Sequence, residues 1–371
     1  MKILWFAWKD HTHPQAGGAE VMLRQLSTRL AADGHEVTVL TARHANAMKF
    51  ETIDGVRFIR VGKNRYTHSF LALIYYLRHL YNAFDAVIEE VNTAPYFGVL
   101  FPGKARPWLL YNQLAREVWF YETPLPLSLF GYYVLEPLAT RLLSFSAAKT
   151  ITISASSRQD LERYGFEPRR TSIISVGITI PPLLSLKGAN KFSAPTVLSL
   201  GSLRAMKRTL HQVKAFEQAK QHIPDLQLKI AGDATGAYGQ KVLQYIQASP
   251  FARDIEYVGR VSKAHKIQLM QQCHAIVVTS VKEGWGLIVT EAASQGTPAV
   301  VYNVDGLRDS VRHGQTGLVT DVSPSALATG ITNMLQDQTA YKAMRQAAWR
   351  WSRAITFAQS YSDFKNALEL P

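Results

Sequence analysis

The sequence predicts an α/β protein built from two Rossmann-like domains in tandem, and three observations carry that prediction. Short apolar runs alternate with helix-spaced segments from the first residues onward. The alternation breaks once, around residues 181–195, and then begins again. Strands that alternate with helices imply parallel sheets with right-handed crossovers, so each half is expected to be one sheet covered by helices.

The elements follow in order. Ile3–Trp8 reads as a short buried strand, and the loop Lys9–Gly18 holds His, Pro and Gly. Ala19–Ala32 places Val21, Met22, Leu26 and Leu30 near helical spacing, Asp33–Gly34 ends that helix, and Val37–Thr41 is the next strand. Apolar runs at Val56–Val61, Ala86–Glu90, Trp108–Tyr111 and Thr150–Ser154 complete a first domain over residues 1–180. Pro181, Pro182 and the Ser-, Gly-, Lys- and Asn-containing stretch Ser185–Pro195 read as the linker. A second domain, residues 190–352, takes strands Thr196–Leu200, Gln227–Ala231, Ile255–Val258, Ala275–Thr279 and Ala299–Tyr302, with a helix at Thr209–Gln221. One long helix, about Thr339–Leu368, closes the chain, and its end, about 353–371, is placed to cross back onto the first domain.

Bulk properties narrow the function. Hydrophobic residues make up 47% of the 371 positions and charged residues 19%, too apolar a balance for a disordered chain. The lone cysteine, Cys273, excludes a disulfide framework and a cysteine-rich zinc site, and it reads as a buried structural thiol. The apolar start ends at Lys9 and Asp10, too short for a signal peptide, and no stretch approaches the roughly 18 apolar residues of a membrane span. A cytoplasmic protein, in solution or at the inner face of a membrane, is the expectation. The net charge of +13 favours anionic partners; plain solubility is the alternative.

Ligands of open α/β sheets bind beyond the carboxyl ends of the strands, so the residues after each strand are the candidates, and two such domains are expected to form a cleft there. After the first strand, Gly17 and Gly18 open a helix whose free N–H groups suit a phosphate; a tight turn is the alternative. After Thr196–Leu200 come Gly201, Ser202, Arg204, Lys207 and Arg208, a cation cluster suited to a pyrophosphate or simply a solvated helix start. After Ala275–Thr279 comes Lys282-Glu283-Gly284-Trp285-Gly286-Leu287, then Glu291 one turn into a helix that begins near Leu287. Leu287 and Glu291, four apart, share a helix face. The two carboxylates suit hydroxyl-rich ligands such as a sugar and a ribose; a capped helix start is the alternative.

These residues resemble a known family. Glu283-Gly-Trp-Gly-Leu-Ile-Val-Thr-Glu291 is similar to the E-x7-E motif of retaining glycosyltransferases of family 4, which adopt the GT-B fold. Gly17–Glu20, Leu200–Gly201 with Lys207, Ala231–Asp233, Val258–Arg260, Gly296–Pro298 and His313–Leu318 extend the likeness, in order, along nearly the whole chain. The resemblance implies two Rossmann-like domains facing each other across a cleft. It implies that Glu283 binds the transferred sugar, Glu291 the ribose, and Lys207 the diphosphate. Gly17, Gly18, Ser202, Arg204, Arg208, Arg260, Gly284, Trp285, Gly286 and Leu287 would surround the donor, a nucleotide-diphosphate sugar with a UDP or GDP carrier. No further cofactor and no metal is implied, in keeping with the absence of any Asp-x-Asp triplet. Two positions depart from the pattern: Ser202 stands where the family usually has Arg, and Asn112, in Tyr111-Asn112-Gln113-Leu114, stands where it often has a catalytic His.

The acceptor implied is a glycan or a lipid-linked sugar. His68–Phe84 and Leu125–Lys149 mix aromatic and basic residues; they are either core helices or a surface that rests on anionic lipid. A nucleotide-sugar epimerase or another enzyme of the same two-domain plan is the competing reading. A nucleic-acid-binding protein has only the charge in its favour, since no nucleic-acid motif is present.

Overall fold

The computed structural model describes every residue except 46, 64–66, 93 and 371. The chain divides into two compact units, Met1–Gly177 with Thr356–Pro371, and Ile178–Ile355.

Unit 1 holds one eight-stranded sheet of β1 (Lys2–Phe6), β2 (Glu36–Thr41), β3 (Phe50–Ile53), β4 (Val56–Arg60), β5 (Ala86–Val91), β6 (Arg106–Tyr111), β7 (Lys149–Thr152) and β8 (Thr171–Ile173). Its order is β3-β4-β2-β1-β5-β6-β7-β8, parallel except for the β3–β4 hairpin. The central strands are buried because helices cover them: Ile3, Leu4, Trp5 and Phe6 of β1 are fully buried. The helices are α1 (Gly18–Ala32), α2 (His68–His79), α3 (Trp119–Glu122), α4 (Leu127–Phe130), α5 (Glu136–Ser144) and α6 (Ala155–Arg163), with a π-helical turn at Gly131–Leu135 between α4 and α5. The hairpin strand β3 and the short edge strand β8 escape the sequence reading. Phe50–Ile53 is amphipathic and half exposed, and three residues at an edge give no periodicity to read.

Unit 2 holds a six-stranded, fully parallel sheet in the order β11-β10-β9-β12-β13-β14. Its strands are β9 (Thr196–Leu200), β10 (Gln227–Ala231), β11 (Ile255–Gly259), β12 (Ala275–Val278), β13 (Ala299–Tyr302) and β14 (Gly317–Thr320). Around them lie α7 (Thr209–Lys220), α8 (Ala237–Ala248), α9 (Lys263–Gln272), α10 (Leu287–Ser294), α11 (Pro324–Gln336) and α12 (Gln338–Ser352). Alternate residues of β9, β12 and β13 point into two apolar layers, one with Val197, Val277 and Val300, the other with Leu198, Ile276 and Val301. That is the pattern of a sheet covered on both faces. The stretch before β9 runs along this unit. Leu183 N–H donates to Ser294 O at 3.0 Å. The Lys191 ammonium donates to Cys273 O and Thr297 Oγ1, each at 2.6 Å, and burial pushes its pKa down to about 7.

The expected single helix over Thr339–Leu368 is instead two. Helix α12 stops at Ser352, and α13 (Phe357–Leu368) starts afresh with Thr356 Oγ1 accepting from Gln359 N–H at 3.1 Å. An N-capping threonine begins a helix because its hydroxyl satisfies a donor that the first turn leaves free. Helix α13 packs on unit 1. Phe364 stacks on Trp5 with ring centroids 5.3 Å apart, Trp108 Nε1 donates to Ala367 O at 3.2 Å, and Asp363 accepts from the Ser175 hydroxyl at 2.6 Å.

Candidate active site

In unit 2 the carboxyl ends of β9, β12 and β13 bring together residues that lie far apart in sequence. After β9 the chain turns through Gly201–Arg204 into a short helical turn, Ala205–Lys207, and Arg208 adopts a left-handed conformation that starts α7. Thr279, at the end of β12, holds this turn: its hydroxyl donates to Lys207 O at 2.8 Å and accepts from buried Gln212 at 2.8 Å. The Lys207 ammonium is thereby delivered onto the Glu283 carboxylate, with which it forms an ion pair.

Glu283 is largely buried, its side chain 19% exposed. It also accepts from the Ser280 hydroxyl at 2.6 Å. Burial alone would raise its pKa. Lys207, Ser280 and, more remotely, Arg204 outweigh burial and hold it below the ordinary carboxylate value. The group is therefore an anion at neutral pH, able to accept hydrogen bonds from hydroxyls.

The loop that carries Glu283 is braced by the loop after β13. Glu283 N–H donates to Asp305 O at 3.1 Å, Lys282 pairs with Asp305, and Arg308 pairs with the same carboxylate. Gly306 sits against the Glu283 carbonyl so closely that a Cβ would lie 2.1 Å from it, and its φ of +76° is left-handed. Only glycine fits there. Gly286, with φ +84°, ends the Glu283 loop and starts α10, so the first N–H groups of that helix open beside the carboxylate. Trp285 packs 6.5 Å from the Trp351 ring, and its buried indole N–H has no acceptor among the described residues.

Glu291 lies on α10, nearly buried, and its carboxylate accepts from Lys266 Nζ of α9 at 2.6 Å. Ser202, Arg204 and Arg260 are exposed, the first two on the loop after β9 and Arg260 after β11. Lys207, Glu283, Gly284, Trp285, Gly286 and Leu287 thus form one loop-and-helix cluster, with Glu291 one turn further along α10.

Unit 1 carries the other candidates. Gly17 and Gly18 are exposed at the start of α1, where Gly17 N–H donates to buried Glu20 at 2.5 Å. Asn112 follows β6, and its amide donates to Glu90 Oε1 at 2.8 Å. Its own Oδ1 is buried and has no partner among the described residues. Glu90 is the unforeseen residue here. Burial first, and then the Glu20 carboxylate, push its pKa up to about 8, against the smaller lowering by Asn112 and Lys9. At pH 7 it is mainly the neutral acid. Its neighbour Glu89 has a structural task, accepting from the N–H groups of Tyr96, Phe97 and Val99 at 2.7, 2.9 and 3.2 Å.

Lys266, Asp305, Gly306 and Glu90 were not singled out from sequence. Two consecutive acids inside an otherwise apolar strand are the one signal that could have pointed to Glu90, because buried carboxylates are rare without a reason. Lys266 and the Asp305–Gly306 loop carry no such mark.

Two family models match the chain. "Glycosyltransferase Family 4" covers residues 16–180 and "Glycosyl transferases group 1" covers residues 187–351. Among curated relatives, glycogen synthase of Mycobacterium tuberculosis is 24% identical over 94% of this chain and 89% of its own length. N-acetyl-α-D-glucosaminyl L-malate synthase of Bacillus anthracis is 21% identical over 91% of this chain and 89% of its own. Among solved structures, sucrose-phosphate synthase from Thermosynechococcus elongatus superposes with a TM-score of 0.79 at 18% identity, covering 99% of this chain and 98% of the other. Anabaena HepE, solved in complex with UDP-glucose, gives 0.73 at 18% identity, covering 100% and 99%. At these identities the structural likeness establishes the fold, which is GT-B.

Proposed function

The chain belongs to the family 4 type of GT-B glycosyltransferases, and from that premise we propose that it transfers a hexose-type sugar from a UDP- or GDP-sugar to a glycan or lipid-linked acceptor, with retention of anomeric configuration. The observation that carries the reading is the Lys207–Glu283 ion pair beside the start of α10.

Each group then has a task. Glu283, held as an anion, accepts hydrogen bonds from hydroxyls of the transferred sugar. Lys207 and the opening N–H groups of α10 face the diphosphate, where negative charge builds as the glycosidic bond breaks. Donors fixed in place before that charge develops lower the barrier without reorganisation. Glu291 accepts from the ribose hydroxyls, and Lys266 keeps its carboxylate oriented. In a front-face reaction the leaving phosphate takes the acceptor's proton, so no pair of flanking carboxylates is needed. Asn112 presents Oδ1 to a sugar hydroxyl and keeps it there through its bond to Glu90. The diphosphate is placed by protein cations, and no metal is assigned a part.

Peripheral membrane contact belongs to the same proposal. Leu125, Tyr133, Leu138 and Phe145 are 66–75% exposed, with Arg141 and Lys149 exposed nearby. No described helix is long and apolar enough to cross a membrane. An amphipathic surface of this kind lies in the interface instead. Co-sedimentation with anionic vesicles at low salt tests this, and a chain that stays in the supernatant overturns it.

The donor is tested by calorimetry with UDP- and GDP-sugars. Binding of one class, lost in Glu291→Ala, is expected; binding of neither overturns the reading. Product analysis with the bound donor should return a glycoside of retained configuration rather than an epimerised nucleotide sugar.

A further inference from the structure

Unit 1 contains an open cavity of about 460 Å³ that takes no part in the roles above. Its walls come from the carboxyl ends of β2 and β4 and from one side of α2. Arg43, Lys49, Lys63, Arg78 and His79 line it, and among the described residues no carboxylate does. Among the described residues, Arg43, Lys49, Lys63 and Arg78 make no ion pair, and all four are exposed. Three cations of the unit 2 site are each matched by a carboxylate: Lys207 by Glu283, Lys266 by Glu291, Lys282 by Asp305. A solvated basic face has no floor, but this cluster surrounds a concavity floored by Leu71, Ile74 and Tyr75.

Arg60 also lines the cavity, with a different task. It is buried and bound to Asp10 at 2.7 Å and Glu51 at 2.7 Å, so its charge is cancelled in place. Asp10 in turn accepts from Thr12, in the loop that leads to Gly17. One buried ion pair therefore holds together the cavity wall and the loop before α1. Both lie at the carboxyl edge of the same parallel sheet, as does Asn112, and that edge is where such sheets bind ligands.

We propose that this cavity binds a phosphate or diphosphate group of the acceptor. Four unmatched cations focus the field on one concavity. Arginine and lysine together suit a tetrahedral, multiply charged anion: guanidinium pairs two oxygens at once, and ammonium adds a point charge. The apolar floor takes the carbon skeleton next to the phosphate. The inference rests on the transferase reading and names its acceptor class. A lipid headgroup and a soluble phosphate ester share this chemistry.

The test uses the full chain with Lys207→Ala, which removes the diphosphate cation of unit 2, and inorganic pyrophosphate as the probe. Calorimetry at low salt should show saturable binding. The same protein with Arg43→Ser, Lys63→Ser and Arg78→Ser should bind at least tenfold more weakly, with circular dichroism confirming that it folds. A second set, Arg43→Gln, Lys63→Gln and Arg78→Gln, keeps side-chain bulk and should behave alike. Absence of saturable binding, or equal affinity in the parent and both charge-removed proteins, overturns the proposal. Phosphatidylcholine vesicles with and without phosphatidic acid separate the sources. Retention that needs both phosphatidic acid and the three cations assigns a lipid headgroup; pyrophosphate binding without such retention assigns a soluble ester; either supports the site. Donor binding by the unaltered chain is measured in parallel. A chain that binds pyrophosphate here and no nucleotide sugar keeps the anion site and fails the transferase reading on which its acceptor role rests.

Discussion

Glu283 and Glu90 are both buried carboxylates at the carboxyl ends of parallel strands, yet they end in opposite protonation states. Glu283 has Lys207 against it and is held as an anion. Glu90 has an amide against it and Glu20 nearby, and burial keeps it mainly neutral at pH 7. The same residue type in the same kind of strand-end position is thus given two chemistries by its neighbours alone. The charged one can accept from hydroxyls of a substrate. The neutral one can hold Asn112 without setting another negative charge beside Glu20.

Either carboxylate can be altered by itself. Removing the anion should have the largest effect: Glu283→Ala is expected to lower kcat/KM by about 1000-fold, since loss of a fixed transition-state contact costs roughly 100- to 1000-fold or more. Unchanged circular dichroism would assign the loss to chemistry. Removing its cation comes next. Lys207→Ala should cost about 100-fold in kcat and leave Glu283 buried beside one partner fewer, so its pKa should rise, visible as a shift in the acidic limb of the pH–rate profile. Glu291→Ala should act mainly on nucleotide affinity, raising KM for the donor about tenfold with a smaller change in kcat; an equal fall in kcat would remove it from the ribose.

The smallest activity effect is expected for Glu90→Gln, whose signature is stability. A carboxyl group with a raised folded pKa keeps its proton in the folded state while the unfolded chain loses it, so stability falls as pH rises between the unfolded value of 4.5 and the folded value of about 8. Glutamine does not titrate. Its unfolding free energy, measured by denaturant titration, should therefore gain on that of the parent between pH 5 and pH 8, by no more than roughly 4 kcal/mol at about 1.4 kcal/mol per pKa unit. Glu283 runs the other way: its depressed pKa contributes stability above about pH 4.5 that is lost as pH falls through the folded value. Parallel pH curves for the parent and Glu90→Gln would mean that Glu90 is charged in the folded protein.

Much of this was legible in the sequence. The central strands and α10 fall within a residue or two of where apolar runs and Gly286 place them, because buried parallel strands must be apolar and a helix must start somewhere near its glycine. Glu283 and Lys207 each stand out by motif, but their pairing across 76 positions depends on β9 and β12 lying side by side. Gly306 was missed for a similar reason. Its requirement comes from a carbonyl in another loop, and no local spacing records that. The helix break at 353–356 was missed because neither proline nor glycine marks it; a capping threonine does the work of both.

The packing of Phe364 on Trp5 has a consequence for how the protein is made. The residues that complete unit 1 come after all of unit 2 in the chain. During synthesis the first 177 residues must wait, with the Trp5 ring uncovered, while unit 2 is translated and can close by itself. The half that is made second is the half that can finish first.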